Sequence, residues 1–193
     1  GLKRREQNPD FTGNEEFNFF LAVLFDCDEL EIMDYNRVMK DLNGNTEEEF
    51  IEKISDKFTV ELAGDEAYKP ECAHTFGMLL GGKWYKLTAK DGTFDESDPV
   101  EALDVSILQN NLISPVLDIH DPRTDKRIDF VGGIRGLGEL ERRCHSDMVI
   151  AFSMYPTSLS DLMAIADAGE VMPPKSTWFE PKLLSGLFIH KLS

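Results

Sequence analysis

Positive charge is scarce in this chain. Its 193 residues hold 20 lysines and arginines against 36 aspartates and glutamates, a formal net charge of −16. A surface so negative repels phosphate backbones and anionic headgroups, which argues against nonspecific nucleic-acid binding and membrane binding. Long hydrophobic runs are missing as well. The longest, Phe17 to Phe25, contains a polar Asn18 and falls far short of the roughly 20 apolar residues that span a bilayer. No secretory leader is visible, and a chain beginning at Gly1 is open to having lost one. Cysteine is limited to Cys27, Cys72 and Cys144, an odd number without CxxC spacing. That fits a reducing cytosol better than a disulfide framework, so the expected location is cytoplasmic. The histidines, His74, His120, His145 and His190, form no zinc pattern with the cysteines. No GxSxG elbow supports a serine-histidine-aspartate nucleophile. Repeats and low-complexity linkers are absent, and 41% apolar residues suffice for one good core, so a single domain over residues 1–193 is the expectation.

What is present alternates between two periods. Phe17 to Phe25, rich in aromatic and branched residues, reads as a buried strand, with Leu30 to Tyr35 as its neighbour and Asp26 to Glu29 as the turn between them. Thr46-Glu-Glu-Glu49 has the spacing of a capping box, followed by an apolar helical face of Phe50, Ile51 and Ile54. Phe58 to Leu62 alternates as a strand does. Thr75 to Leu80, Gly81-Gly82 and Lys83 to Ala89 give the clearest hairpin signal, because two glycines accept the positive φ of a tight turn. Asp98-Pro99 reads as a helix start, with Val100, Leu103, Ile107 and Leu108 on one face. Ile128 to Val131 predicts a short strand stopping at Gly132-Gly133, and Leu137 to Cys144 a helix. Met148 to Met154 predicts a central strand covered on both faces. Ser158 to Asp161 caps a further helix that Gly169 ends, and Leu184 to Leu192 reads as a final strand. The fold class is therefore α+β, with a mixed, largely antiparallel sheet and packed helices.

Three loops gather the chemistry. Asp121-Pro-Arg-Thr-Asp-Lys-Arg127 reads either as a charged, solvated turn or as a phosphate loop. In the second reading Arg123, Lys126 and Arg127 attract the anion, while Asp121 or Asp125 holds a hydrated magnesium ion. Gly132-Gly-Ile-Arg-Gly-Leu-Gly138 follows a strand and precedes a helix, where bare amides attract phosphate, although its spacing is neither GxGxxG nor a P-loop and a glycine-rich strand-to-helix bend is common without any ligand. In Met172-Pro-Pro-Lys-Ser-Thr177, Lys175, Ser176 and Thr177 can reach an anion, or the hydroxyls can bond backbone in a structural loop. The tryptophans, Tyr85 and the phenylalanines read as core.

The runs Asn18-Phe-Phe-Leu-Ala-Val, Ile32-Met-Asp-Tyr-Asn-Arg-Val, Leu103 to Gln109, Asp121 to Gly136 and Ala151 to His190 resemble a family called domain of unknown function 1015. That family is loosely labelled SpoOJ/ParA/ParB/RepB. Its members run to about twice this length, with an Asp-Gly-His-His-Arg motif in the front half similar to the phosphate-binding motif of the ParB and sulfiredoxin superfamily. That motif is absent here, and the resemblance places Arg4 to Pro9 just after it. This chain is then expected to be the C-terminal part of a longer protein. Leu184 stands where the family has a basic residue. Because some superfamily members phosphorylate free serine, the resemblance implies a nucleotide-dependent small-molecule kinase using ATP or ADP with magnesium. Lys126, Arg127, Arg135 and Lys175 would serve as clamps, and Asp121, Asp125 or Asp129 would be orienters or magnesium ligands. The implied partners are the small-molecule substrate or the chain's own N-terminal half. The rival expectation is a noncatalytic, ParB-like regulatory or partner-binding module. Its contact would be the stretch from Asn45 to Asp104, where acidic residues outnumber basic ones by more than two to one.

Overall fold

The computed structural model describes residues 1–26, 29–182 and 184–192. In chain order the elements are α1 (Leu2–Gln7), β1 (Glu31–Met33), β2 (Tyr35–Met39), α2 (Glu47–Ile54), β3 (Phe58–Gly64), β4 (Thr75–Leu80), β5 (Lys83–Ala89), α3 (Asp104–Leu108), α4 (Ser114–Leu117), β6 (Ile128–Gly132), α5 (Leu137–Cys144), β7 (Ile150–Ser153), α6 (Leu159–Asp167) and β8 (Trp178–Glu180). A π turn, Gln109–Ile113, joins α3 to α4. The chain divides into two compact units, residues 32–179 and residues 1–31 with 180–193.

The larger unit is built on a six-stranded sheet of order β3-β5-β4-β7-β2-β6, antiparallel throughout. Its class is α+β with packed helices, as the alternating periods predict. Local chemistry accounts for much of it. Gly81 and Gly82, at φ 57° and 75°, close the β4–β5 hairpin with Leu80 opposite Lys83, and two successive positive φ values are what a two-residue turn matched to the strand twist requires. At α2 the Thr46 side chain accepts from the Glu49 amide and the Glu49 carboxylate accepts from the Thr46 amide. This reciprocal cap turns Phe50 and Ile54 into the core, both fully buried.

Alternation along the strands sorts the sheet into two covered faces. Met39, Phe76, Met78, Leu80, Ile150 and Phe152 point to one face, under α2, α3, α4 and α6. Val38, Leu79, Trp84, Val131 and Ala151 point to the other, under α5 through Leu140. β7 lies centrally between β4 and β2 and is buried at every residue, which is why its sequence is a nearly unbroken apolar run, the one polar member, Ser153, donating to the Tyr68 carbonyl at 2.8 Å. β1 and β8 form a separate two-stranded ribbon.

Four expectations require correction. Phe17 to Phe25 is not a buried strand: a 3₁₀ turn occupies Glu16–Asn18, no strand follows through residue 26, and Phe20 and Leu24 are 84% and 94% exposed. The described residues 184–192 likewise hold no strand, and Phe188 and Ile189 lie open to solvent. An apolar run becomes a buried strand only when a neighbour completes its ladder, and neither run has one among the described residues. Leu30 to Tyr35 divides at Asp34 into β1 and β2, and β2 extends the strand to Met39. Asp98 does accept from the Val100 and Glu101 amides as a cap would. Leu103 then turns extended, at ψ 137°, so the helix starts only at Asp104. The expected turn from Asp26 to Glu29 includes Cys27 and Asp28, which lie outside the described residues.

Candidate functional site

Arg37 is the anomaly of the larger unit. It shares the helix-covered face with Met39, because residues two apart on a strand point the same way, and it faces Phe130 of β6 and Phe152 of β7 across the ladders. Only 3% of it is exposed. Its guanidinium donates to the Tyr35 carbonyl at 2.8 Å and to the Lys175 carbonyl at 3.4 Å, and it stands 5.7 Å from the centre of the Phe130 ring. Among the described residues its remaining N–H groups find no partner, and it forms no ion pair with any carboxylate. Burial lowers its pKa from 12.5 to about 10, with the charge of Asp104 opposing that shift, so it remains a cation at neutral pH. A buried charge with no directly bonded counter-ion among the described residues is costly and is seldom found without a reason.

A cavity of about 510 Å³ opens beside it, bounded by α3 and the π turn, by His120 to Arg123, and by Pro173-Pro174. Two of the three expected loops thus reach one place. Asp121 and Arg123 stand at the rim as a two-pronged ion pair, at 2.9 and 3.2 Å, and Arg123 holds the Asp121 carboxyl below its ordinary range. The Lys175 backbone closes on Arg37 while its ammonium lies 5.5 Å from the Tyr35 ring centre and 5.8 Å from that of Phe130. Ser176 is buried and donates to the Pro173 carbonyl at 2.8 Å, which stiffens the loop. Thr177 is half-buried beside it.

The other expected residues are spent elsewhere. Arg127 pairs with Asp125 at 2.9 Å and donates to the carbonyls of Leu117 at 2.9 Å and Asp118 at 2.7 Å, tying this loop to the end of α4. Lys126 projects into solvent. Asp129 lies on the opposite face of the sheet, bound to Arg143 of α5 at 2.9 Å, and Arg135 pairs with Glu139 at 3.6 Å. Gly132 and Gly133 stand at the far end of β6 from Arg127, and packing explains their lack of side chains. A Cβ at Gly132 would sit 2.5 Å from the Trp178 ring, and one at Gly133 would strike the Asp34 carboxylate. The Gly133 amide already donates to the Asp34 carbonyl at 2.8 Å. For magnesium the fit is poor, since each carboxylate of the loop is held by its own arginine and no group of three or more metal-ligating side chains gathers among the described residues.

A second, smaller cavity of about 270 Å³ flanks the start of α3, lined by His74, Thr157, Asp161 and Asp104. Asp104 accepts from the His74 amide at 2.8 Å through one oxygen, and its other oxygen is buried without a partner among the described residues. Burial raises its pKa from 3.8 to about 7, Asp161 adds to the rise, and the His74 amide and Arg37 oppose it. Sequence reasoning passed over both Arg37 and Asp104. The available signal for Arg37 was its place between Tyr35 and Met39 in an alternating stretch, which turns a cation inward.

A model of the family described as "Protein of unknown function (DUF1015)" matches residues 1–106, which includes Arg37 and Asp104 but none of the loops from Asp121 onward. No curated protein matches the chain. Among solved structures, one free serine kinase mutant in complex with AMP is 14% identical over 82% of this chain and 57% of its own, with a TM-score of 0.49. A second such mutant, also with AMP, is 20% identical over 82% of this chain and 58% of its own, again with a TM-score of 0.49. A conserved hypothetical protein from Pyrococcus furiosus is 20% identical over 83% and 60%, with a TM-score of 0.49. The chain spans 57 to 60% of the length of these structures, and likeness at this level defines neither a site nor a reaction.

Proposed function

The chain belongs to the DUF1015 family, and from that premise we propose that it forms part of a nucleotide-dependent phosphotransferase acting on a small hydroxyl-bearing molecule of the free-serine kind, with a phosphate group seated beside Arg37. The observation that carries this reading is the buried, unpaired guanidinium lining a cavity. Phosphoryl transfer asks a protein mainly for positive groups on the equatorial oxygens and for a group that orients the attacking hydroxyl. Arg37 supplies the first from a water-poor setting, where a charge acts strongly and is already held in place. Arg123 supplies a second cation at the rim. Its exposed pairing with Asp121 is worth little in water, so turning toward an incoming phosphate costs little. Asp121, which lines the cavity, is in this reading the group that orients a hydroxyl once released, and Lys175 adds charge behind the aromatic pair Tyr35 and Phe130. Arg127 and Asp125 act here by holding the loop rather than by touching the ligand.

Titration calorimetry with ADP, ATP and inorganic phosphate tests the seat directly. Arg37→Met keeps the buried volume and removes the charge. It should weaken binding by about 10-fold or more, the usual loss when a charged hydrogen-bond donor to an anion is removed. Equal affinity in the variant and the wild type would remove Arg37 from the site and this reading with it.

A further inference from the structure

At the edge of the same cavity stands a hydrogen-bonded chain that the phosphate seat does not use. The Ser114 hydroxyl lies 2.6 Å from Nδ1 of His120, and Nε2 of His120 lies 2.8 Å from Oδ1 of Asp118. In the tautomer whose Nε2–H donates to the Asp118 carboxylate, Nδ1 is left as the acceptor for the serine hydroxyl. This is the order of contacts by which a weak hydroxyl becomes a nucleophile: base beside it, and a carboxylate fixing the base's tautomer.

The His120 and Asp118 side chains are 72% and 66% exposed, and a solvated pair holds its geometry weakly by its own contact. Here the backbone holds it. The carbonyls of Leu117 and Asp118 are both bound by Arg127, and that of Ile119 is bound by the Gln109 side chain at 2.7 Å. Three successive peptide units of the turn that carries the chain are thus fastened by side chains from two directions. Asp118 itself adopts a left-handed conformation, φ 55°, which ends α4 and brings His120 back over Ser114. Ser114 donates its amide to the Gln109 carbonyl across the π turn, which places it one turn beyond Gln109 and Asn110. Gln109, Asn110 and His120 all line the Arg37 cavity.

We propose that Ser114 is a nucleophile that accepts a phosphoryl group from a phosphoanhydride or acyl-phosphate donor seated at Arg37, with His120 as its general base and Asp118 as a positioning residue. This rests on the reading of the Arg37 cavity as a phosphate seat. In the step, the Ser114 Oγ–P bond forms as the P–O bond to the leaving group breaks. The serine proton passes to His120 Nδ1, and the leaving group departs with the electron pair of the broken bond. Arg37 and Arg123 face the phosphoryl oxygens throughout, and the product is a phosphoserine.

Acetyl phosphate, a small anionic donor, is the probe, followed by intact-mass and peptide mass spectrometry of the full chain. A phosphate on Ser114 that is absent in Ser114→Ala, and that forms at least about 100-fold more slowly in His120→Gln, supports the assignment. Asp118→Asn should slow adduct formation at saturating acetyl phosphate while leaving the half-saturating concentration unchanged, a loss in kcat rather than in KM. If acetyl phosphate binds saturably and Arg37→Met abolishes that binding, yet Ser114 stays unmodified, the nucleophile is wrong and the phosphate seat stands. If Ser114 is phosphorylated equally in Arg37→Met, the nucleophile stands and the seat at Arg37 falls. Neither binding nor adduct would overturn both.

Discussion

Replacing Asp104 by asparagine should shift stability in the variant's favour, relative to wild type, as pH rises, an unusual outcome for a buried polar position. The Asp104 pKa rises on folding from 3.8 to about 7, mainly through burial. An acid whose folded pKa is raised contributes full stability below its unfolded pKa and loses it as pH climbs through the folded one. At about 1.4 kcal/mol per pH unit, the whole window from pH 3.8 to about 7 is worth about 4 kcal/mol. Part of that is already lost by pH 5, where the unfolded carboxyl is ionised, which leaves about 2 to 3 kcal/mol between pH 5 and pH 8. Asparagine keeps the acceptor for the His74 amide and cannot ionise. Its amino group replaces an oxygen that has no partner among the described residues, a cost that is the same at both pH values and cancels from the comparison. Both tryptophans, Trp84 and Trp178, lie in the larger unit, so urea unfolding followed by fluorescence reports on the part that contains Asp104. Asp104→Asn should therefore gain about 2 to 3 kcal/mol relative to wild type on going from pH 5 to pH 8. An identical pH dependence in the two proteins would refute the claim that Asp104 is held protonated by the fold.

Gly132→Ala tests whether close packing or anion contact explains that glycine. Its φ of −66° suits any residue, so the cost arises only from the clash at 2.5 Å with Trp178 and should be about 1 to 3 kcal/mol in urea unfolding, with phosphate affinity unchanged. The two described thiols should differ in reactivity. Burial, with help from Asp147, raises the Cys144 pKa to about 11, against a small opposing effect of Arg143. At pH 8 only about 0.1% of Cys144 is then thiolate, so a disulfide reagent should label exposed Cys72 more than about 100-fold faster. Equal labelling, mapped by mass spectrometry, would show that the half-buried setting of Cys144 does not persist in solution.

Features that depend on a few neighbouring residues were legible in the sequence. The Thr46 capping box, the β4–β5 hairpin on Gly81-Gly82, α5, and α6 with its Ser158 cap all lie where spacing places them. Each is stabilised by contacts within a few residues, so local chemistry suffices. Apolar content alone misled at Phe17 to Phe25 and Leu184 to Leu192, where the same composition that makes β7 central leaves side chains in solvent. The difference lies in the partner strands, which period and composition do not encode.

The candidate site divides along the same line. Composition and loop chemistry alone indicated an acidic α+β protein that concentrates cations near Asp121 to Arg127 and at Lys175. Which of those cations face a cavity was decided by the fold. Arg127 is consumed by two carbonyls and a carboxylate, Asp129 is turned to the opposite face, and Gly132 makes room for an indole. Arg37, Asp104 and the Ser114–His120–Asp118 chain carry no distinctive spacing. Their character comes from desolvation and from neighbours distant in sequence, such as Lys175 for Arg37 and His74 for Asp104. Charge and hydrogen-bonding capacity belong to the residue, whereas the dielectric around it and the partners it lacks exist only once strands and helices have closed over it.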